Sequence, residues 1–94
     1  MGMAIDMNGQ TIQFYLNGVA NGSAVDFSST FTDAAYPLAV AVALYDPDEL
    51  EINFGNPSYA NSSDAADANG YGKFEYAPPT GFYALCTKNL AEFG

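Results

Sequence analysis

The run from Gln10 to Gly18 most constrains the fold, because its pattern is that of a strand enclosed by two tight turns. Apolar side chains alternate along it, as expected of a strand with one buried face, at Ile12, Phe14 and Leu16. Asn8-Gly9 precedes the run and Asn17-Gly18 follows it. Asn-Gly between strand patterns favours a type I′ hairpin turn, since both central residues take positive φ. The pattern predicts a three-stranded antiparallel meander that begins with the strand Met3–Met7.

Two later runs also alternate, and they predict further strands at Leu38–Leu44 and Leu50–Phe54, joined by a turn at 46–49. Ala and Leu also favour a helix over Tyr36–Leu44, but the strict alternation and Pro37 favour a strand. The chain is therefore expected to be all-β, with an antiparallel sandwich architecture. Its predicted core consists of Ile5, Ile12, Phe14, Leu16, Leu38, Val40, Val42, Ile52 and Phe54.

The length of 94 residues predicts a single domain spanning 1–94. Residues 58–72 are mostly small and polar and are expected to form a long loop, which is typical of a mobile or a functional segment. Residues 87–94 have the composition of a C-terminal tail.

Charge and residue types argue against several function classes. Eleven acidic residues face two basic ones, and the net charge of −9 opposes binding to nucleic-acid phosphates or to an anionic membrane surface. The apolar run 36–45 is too short to span a bilayer. Without histidine and with one cysteine, the chain has no imidazole base, no intrachain disulfide and no cysteine zinc site. The chain is expected not to be an enzyme and to need no cofactor.

Four acidic residues within six positions are the candidate metal ligands: Asp46, Asp48, Glu49 and Glu51. Oxygen-rich clusters of this kind bind Ca²⁺ where a loop makes them converge. The spacing is not that of an EF-hand, so a solvated acidic turn is the favoured interpretation. Asp64, Asp67 and Asn69 are a weaker candidate for a cation or sugar site, and a flexible loop is favoured there.

Tyrosines are the candidate ligand- or partner-binding residues, because they supply contact area at little entropic cost and stack on sugar rings. The candidates are Tyr45, Tyr59, Tyr71 and Tyr83, of which Tyr59 and Tyr71 lie in the polar loop. Packing within a small sandwich is the alternative role for most of these rings. Cys86 is expected to be a buried, inert thiol.

Five motifs in order resemble the C-terminal half of a SPRY domain: 3–6 (Met-Ala-Ile-Asp), 12–18, 36–40, 51–55 and the ending 76–87. The Pro-Pro-Thr-Gly-Phe ending is similar to the version of that domain in tailed-phage virion and tail proteins. The resemblance implies a concanavalin-like β-sandwich, here in a short or half-length form, that binds partners through loops and is not an enzyme.

The resemblance implies a recognition or assembly module located in the virion, in a tail, fibre or capsid-surface role, that binds other virion chains or a host-surface receptor. The family's first strands have no counterpart here, so the chain is a fragment, a compact variant or a subunit completed by a neighbour. A half sandwich is expected to associate with another chain, most simply a second copy, through its N-terminal strands. The alternatives are a lectin-like module that binds a host-surface glycan, assisted by Ca²⁺, and, more weakly, a glycosidase that uses a pair of carboxylates.

Overall fold

The computed structural model of the chain describes residues 1–30 and 39–94. Its regular secondary structure is an open, four-stranded antiparallel sheet and one short helix. The elements are β1 (Gly2–Asp6), β2 (Thr11–Leu16), β3 (Val19–Ala20), β4 (Val25–Asp26) and α1 (Thr87–Phe93). Within the described residues, no helix has the length and apolar character needed to cross a membrane. The chain is thus β-rich, as expected, with its sheet confined to the N-terminal third.

The first two strands pair in the register that the alternating pattern requires. Ile5 lies opposite Ile12, and Met3 lies opposite Phe14, so apolar side chains of β1 and β2 share one face. Between the strands, the Asp6 carboxylate accepts hydrogen bonds from the backbone amides of Asn8 (3.0 Å) and Gly9 (2.9 Å). This Asx turn widens the expected two-residue turn to four residues, 7–10. The predicted hairpin is confirmed, and its turn is longer than predicted.

The second predicted turn forms as the sequence indicates. Asn17 and Gly18 both have positive φ, 50° and 80°, as a type I′ turn requires. They join β2 directly to β3, where Leu16 lies opposite Val19.

β3 and β4 both pair with β2, at opposite ends of the strand. Between them the chain leaves the sheet for a short bend, 21–24, and the Gln13 side chain bridges this gap. Its amide nitrogen donates to the carbonyl oxygens of Phe14 (2.9 Å) and Gly22 (3.2 Å). The far edge of the sheet is therefore interrupted rather than continuous.

The strands predicted at Leu38–Leu44 and Leu50–Phe54 are not present in the described residues, which begin again at Ala39. Residues 39–44 form neither strand nor helix, and residues 50–54 form no strand. A strand needs a hydrogen-bonded neighbour, and the sheet of β1 to β4 ends without pairing either run. Alternation therefore predicted which side chains share a face but not whether a partner strand exists.

Residues 58–72 form the irregular loop that their composition predicts, but it is held by specific hydrogen bonds. Ala65 and Phe74 form an isolated antiparallel bridge. Both carboxylate oxygens of Glu75 accept hydrogen bonds from Ser62, one from its backbone amide (2.8 Å) and one from its hydroxyl. The predicted tail at 87–94 is instead mostly helix α1, and Gly94 closes the helix with a hydrogen bond to the Leu90 carbonyl.

The apolar core is much smaller than predicted. Among residues 1–30 and 39–94, the buried apolar residues are Ala4, Phe27 and Ala84, and none of them was expected in the core. Ile5, Ile12 and Phe14 are half-buried. Leu38 lies outside the described residues, and the other members of the predicted core are exposed: Leu16, Val40, Val42, Ile52 and Phe54. These side chains lack a covering layer, because the second sheet of a sandwich is not formed by the described residues.

Candidate functional site

A buried carboxylate organises the C-terminal part of the chain. Asp67 is 7% exposed, and its Oδ1 accepts hydrogen bonds from the backbone amides of Asn69 (2.9 Å) and Tyr71 (3.0 Å). Its Oδ2 accepts from the Ala84 backbone amide (2.9 Å) and from the Asn89 side-chain amide (2.7 Å). One side chain thus joins the polar loop, the segment before α1 and α1 itself.

The environment of Asp67 favours its charged form. Burial raises the pKa of this carboxyl group, but the four donated hydrogen bonds outweigh burial and leave the pKa below its usual value. Asn89 is also buried, and its amide donates a second hydrogen bond to the Ala84 carbonyl (2.8 Å). Asp67 therefore acts as a structural anion, and its oxygens are occupied by protein donors.

The candidate cation site at Asp64, Asp67 and Asn69 is not assembled. Asp64 is exposed, Asp67 is saturated with donors, and the Asn69 side-chain amide donates to Asn89 (2.9 Å). The three side chains therefore do not converge on a cation site, and in this conformation hydrogen bonds of Asp67 and Asn69 hold the loop.

The four acidic residues of the candidate calcium site lie on an exposed turn. The Asp48 amide donates to the Tyr45 carbonyl (2.7 Å), which closes the turn around Asp46. Glu49 and Glu51 follow it and are exposed. Within residues 1–30 and 39–94, no three acidic or cysteine side chains are placed so as to hold a metal ion. The structure thus does not bring the four carboxylates together.

The candidate tyrosines lie in different environments. Tyr45 is 85% exposed, and Tyr83 is about half exposed. Tyr59 is half-buried in the wall of a large, open cleft. Tyr71 is half-buried, and its hydroxyl donates to Glu92 of α1 (2.6 Å), which raises the pKa of the phenol.

Tyr71 lies in a small cavity of about 440 Å³ that contains both basic residues of the chain. The Lys88 ammonium group lies 5.1 Å from the centroid of the Tyr71 ring, within the range of a cation–π contact. Lys73 lines the same cavity. Its other lining residues are Gly55, Asn56, Gly70, Gly72, Cys86 and Thr87. The Cys86 thiol is half-buried rather than fully buried, so it lies in the wall of a cavity and not in a core.

The second concave feature is an open cleft of about 1900 Å³, here called the apolar cleft. The apolar side chains that line it come from β1, β2, the irregular segments and α1: Met3, Ile5, Ile12, Val40, Val42, Leu50, Ile52, Phe54, Phe82, Tyr83, Leu85, Leu90 and Phe93. Most of these are between 46% and 66% exposed, although residues of their type are usually buried. Among the described residues, the charged side chains in its lining are all acidic: Asp6, Glu51 and Glu75.

Sequence reasoning missed the structural role of Asp67 and the placement of both lysines in the lining of one cavity. The signal for Asp67 is the following Asn69-Gly70, because an aspartate ahead of such a pair commonly caps a turn. Lys73 and Lys88 are distant in sequence, and only the fold places them around one cavity.

Comparison of the chain with family models, curated proteins and solved structures gives no match.

Proposed function

We propose that this chain is a non-catalytic recognition or assembly module of a phage particle, and that the apolar cleft binds another protein chain. In this proposal the chain forms part of a SPRY-like, concanavalin-type β-sandwich, and the partner supplies the missing layer. The order of the SPRY-like motifs along the sequence supports the family and the virion location. The apolar cleft is the observation that carries the binding role.

The total exposed surface supports a missing partner. The chain exposes 7270 Å², whereas a folded monomer of its mass, 9.9 kDa, exposes about 5200 Å². The excess of roughly 2000 Å² exceeds the area that one partner buries in a standard interface, which is about 800 Å². The radius of gyration of 14.2 Å is likewise above the value of about 12.4 Å for a compact domain of this length.

Charge favours a different chain over a second copy as the partner. The charged side chains in the cleft lining are acidic, and each copy carries a net charge of −9. Two such surfaces repel each other, whereas a partner with lysine or arginine at its rim gains complementary contacts. We therefore propose a partner segment with an apolar centre and a basic edge, drawn from another virion chain or a host receptor.

The decisive experiment compares two isomeric side chains of similar exposure. Ile52 lines the cleft and is 47% exposed, whereas Leu44 is 53% exposed and lies outside it. Mass spectrometry of purified particles from the encoding phage, after mild crosslinking, identifies the neighbouring chain. Ile52→Glu should weaken binding to that chain by more than about tenfold, because it places a charge in an apolar contact. Leu44→Glu should leave the binding unchanged.

Two results would overturn the proposal. The first is the absence of this chain from purified particles. The second is a crosslinked partner whose affinity Ile52→Glu and Leu44→Glu reduce equally. Sedimentation of the isolated chain at micromolar concentration shows whether it is a monomer or self-associates. Self-association through the cleft would mean that the partner is a second copy and not a different chain.

A further inference from the structure

The cavity that contains Lys73 and Lys88 has the chemistry of an anion site. The chain has eleven acidic residues and two basic ones, so lysines in ion pairs would be the ordinary arrangement. Within the described part of the chain, neither lysine forms an ion pair with a carboxylate. Both instead line one cavity, together with a half-buried tyrosine.

The rest of the lining suits a small polar molecule. Gly55, Gly70 and Gly72 all have positive φ and bring bare backbone to the wall, where the amides of Gly55 and Gly70 already donate to the Asn53 side chain (2.7 Å) and the Asp67 carbonyl (3.0 Å). A Cβ at Gly72 would clash with the Phe74 ring, whereas a Cβ at Gly70 would meet nothing within 4 Å. Asn56 and Thr87 add side-chain amide and hydroxyl groups. These are groups that bind the hydroxyls of a sugar.

Size and net charge restrict the ligand further. A volume of about 440 Å³ lies in the range of small-molecule sites. A long polyanion would extend beyond the two lysines and meet the acidic surface of the chain, which repels it. A small ligand with one anionic group avoids the repulsion from distant acidic residues, since charges more than about 8 Å away are screened at physiological salt. Of the carboxylates beside Tyr71, Glu92 accepts a hydrogen bond from its hydroxyl (2.6 Å) and Asp67 accepts one from its backbone amide (3.0 Å).

We propose that this cavity binds a monosaccharide unit that carries one anionic group, either a carboxylate or a phosphate. Lys73 and Lys88 bind the anionic group, and Tyr71 and the polar lining bind the sugar ring and its hydroxyls. The site needs no calcium ion, and it gives the lectin-like hypothesis a location apart from the acidic turn. The inference does not depend on the assembly role of the apolar cleft.

The test uses the intact chain with three probes: glucuronate, glucose 6-phosphate and glucose. Binding is followed by the backbone amide signals of Gly70, Gly72 and Thr87 in nuclear magnetic resonance spectra. Alkylation of Cys86 by neutral iodoacetamide provides a second readout, because this thiol lies in the cavity wall and is the chain's one cysteine. At least one anionic probe should shift these signals and slow alkylation, and glucose should do neither at the same concentration. The carboxylate and phosphate probes distinguish the two sources of charge.

Variants that make the same change in net charge inside and outside the cavity show whether the anionic probe binds there. Lys73→Gln and Lys88→Gln should each weaken binding of the anionic probe about two- to fivefold, the factor for one exposed ion pair. Lys73→Arg and Lys88→Arg should retain it. Ser29→Glu makes the same change in net charge as the glutamine variants at an exposed position outside the cavity, and it should leave the affinity unchanged.

The proposal fails if glucose protects Cys86 as well as the anionic probes do, or if no probe binds. It also fails if Ser29→Glu weakens binding as much as the lysine variants, since the effect would then be one of overall charge. The comparison of charged and neutral probes on the unaltered chain remains decisive if a lysine variant does not fold.

Discussion

At the scale of single residues, the hydrogen bonds of Asp67 connect segments that share little buried apolar surface. Few large side chains are buried here, yet both oxygens of this carboxylate each accept two hydrogen bonds. Hydrogen bonds to a charged group stabilise a fold more than neutral ones do, at about 1.5–3 kcal/mol each. The loop and α1 are therefore held mainly by polar contacts.

Replacing Asp67 by asparagine should lower the free energy of unfolding by about 2 kcal/mol. The amide removes the charge and turns one acceptor into a donor that faces other donors, which leaves buried groups without partners. Asp64→Asn is the matched control, because Asp64 is exposed and has a φ of 48°, which asparagine tolerates. Urea unfolding measures both variants, and equal midpoints would mean that Asp67 does not stabilise the fold.

The same pair of variants should reveal the pH dependence of this contribution. The folded pKa of Asp67 lies below its unfolded value, so its stabilisation is fully present above the unfolded pKa, about 3.9, and is lost as pH falls through the folded pKa. The difference between the unaltered chain and Asp67→Asn should therefore shrink as the pH falls below about 4. A difference that is unchanged or larger at acidic pH would contradict the assignment.

At the scale of elements, the turn between β2 and β3 depends on a contact that the sequence does not show. Gly18 has a φ of 80°, and a Cβ there would lie 2.6 Å from the Tyr76 ring. Gly22 has a similar φ of 73°, but a Cβ there would meet nothing within 4 Å. Both glycines carry the same conformational requirement, and only one of them packs against a side chain.

Gly18→Ala should therefore destabilise the chain by about 1 kcal/mol more than Gly22→Ala. Both substitutions impose a positive φ on alanine, at a cost of about 1–2 kcal/mol, so their difference isolates the clash with Tyr76. Thermal unfolding followed by circular dichroism compares the two variants directly. Gly18→Ala, Tyr76→Ala should recover the difference, and equal melting temperatures for the two glycine variants would show that Tyr76 moves away freely.

The elements also show why sequence reasoning succeeded in one part of the chain and failed in another. The β1–β2–β3 meander is specified locally, because Asn17-Gly18 fixes a turn that joins adjacent strands. The run 39–44 alternates as clearly, but the turn at 46–49 does not pair it with 50–54 in the structure. The Lys73–Lys88 cavity likewise depends on how the Asp67 loop folds onto α1. Short-range patterns therefore predicted the sheet, and long-range contacts decided the rest.

At the scale of the whole molecule, the ratio of exposed to buried surface sets the chain apart from an ordinary monomer. An unfolded chain of 9.9 kDa exposes about 14400 Å². With 7270 Å² still exposed, folding buries about half of that surface, whereas a domain of this size usually buries about 64%. Unfolding of the isolated chain should therefore expose less surface than unfolding of an ordinary domain of this size.

The slope of unfolding free energy against urea concentration should therefore be about a quarter below that of typical 94-residue domains. This slope is proportional to the surface that unfolding exposes, and that surface is smaller here by the same fraction. The open cleft should also bind the dye ANS, and Ile52→Glu should reduce the fluorescence more than Leu44→Glu does, because only Ile52 lines the cleft. An ordinary slope together with no dye binding would mean that the isolated chain closes the cleft in solution. In that case the chain would cover its own apolar surface, and it would not require a partner.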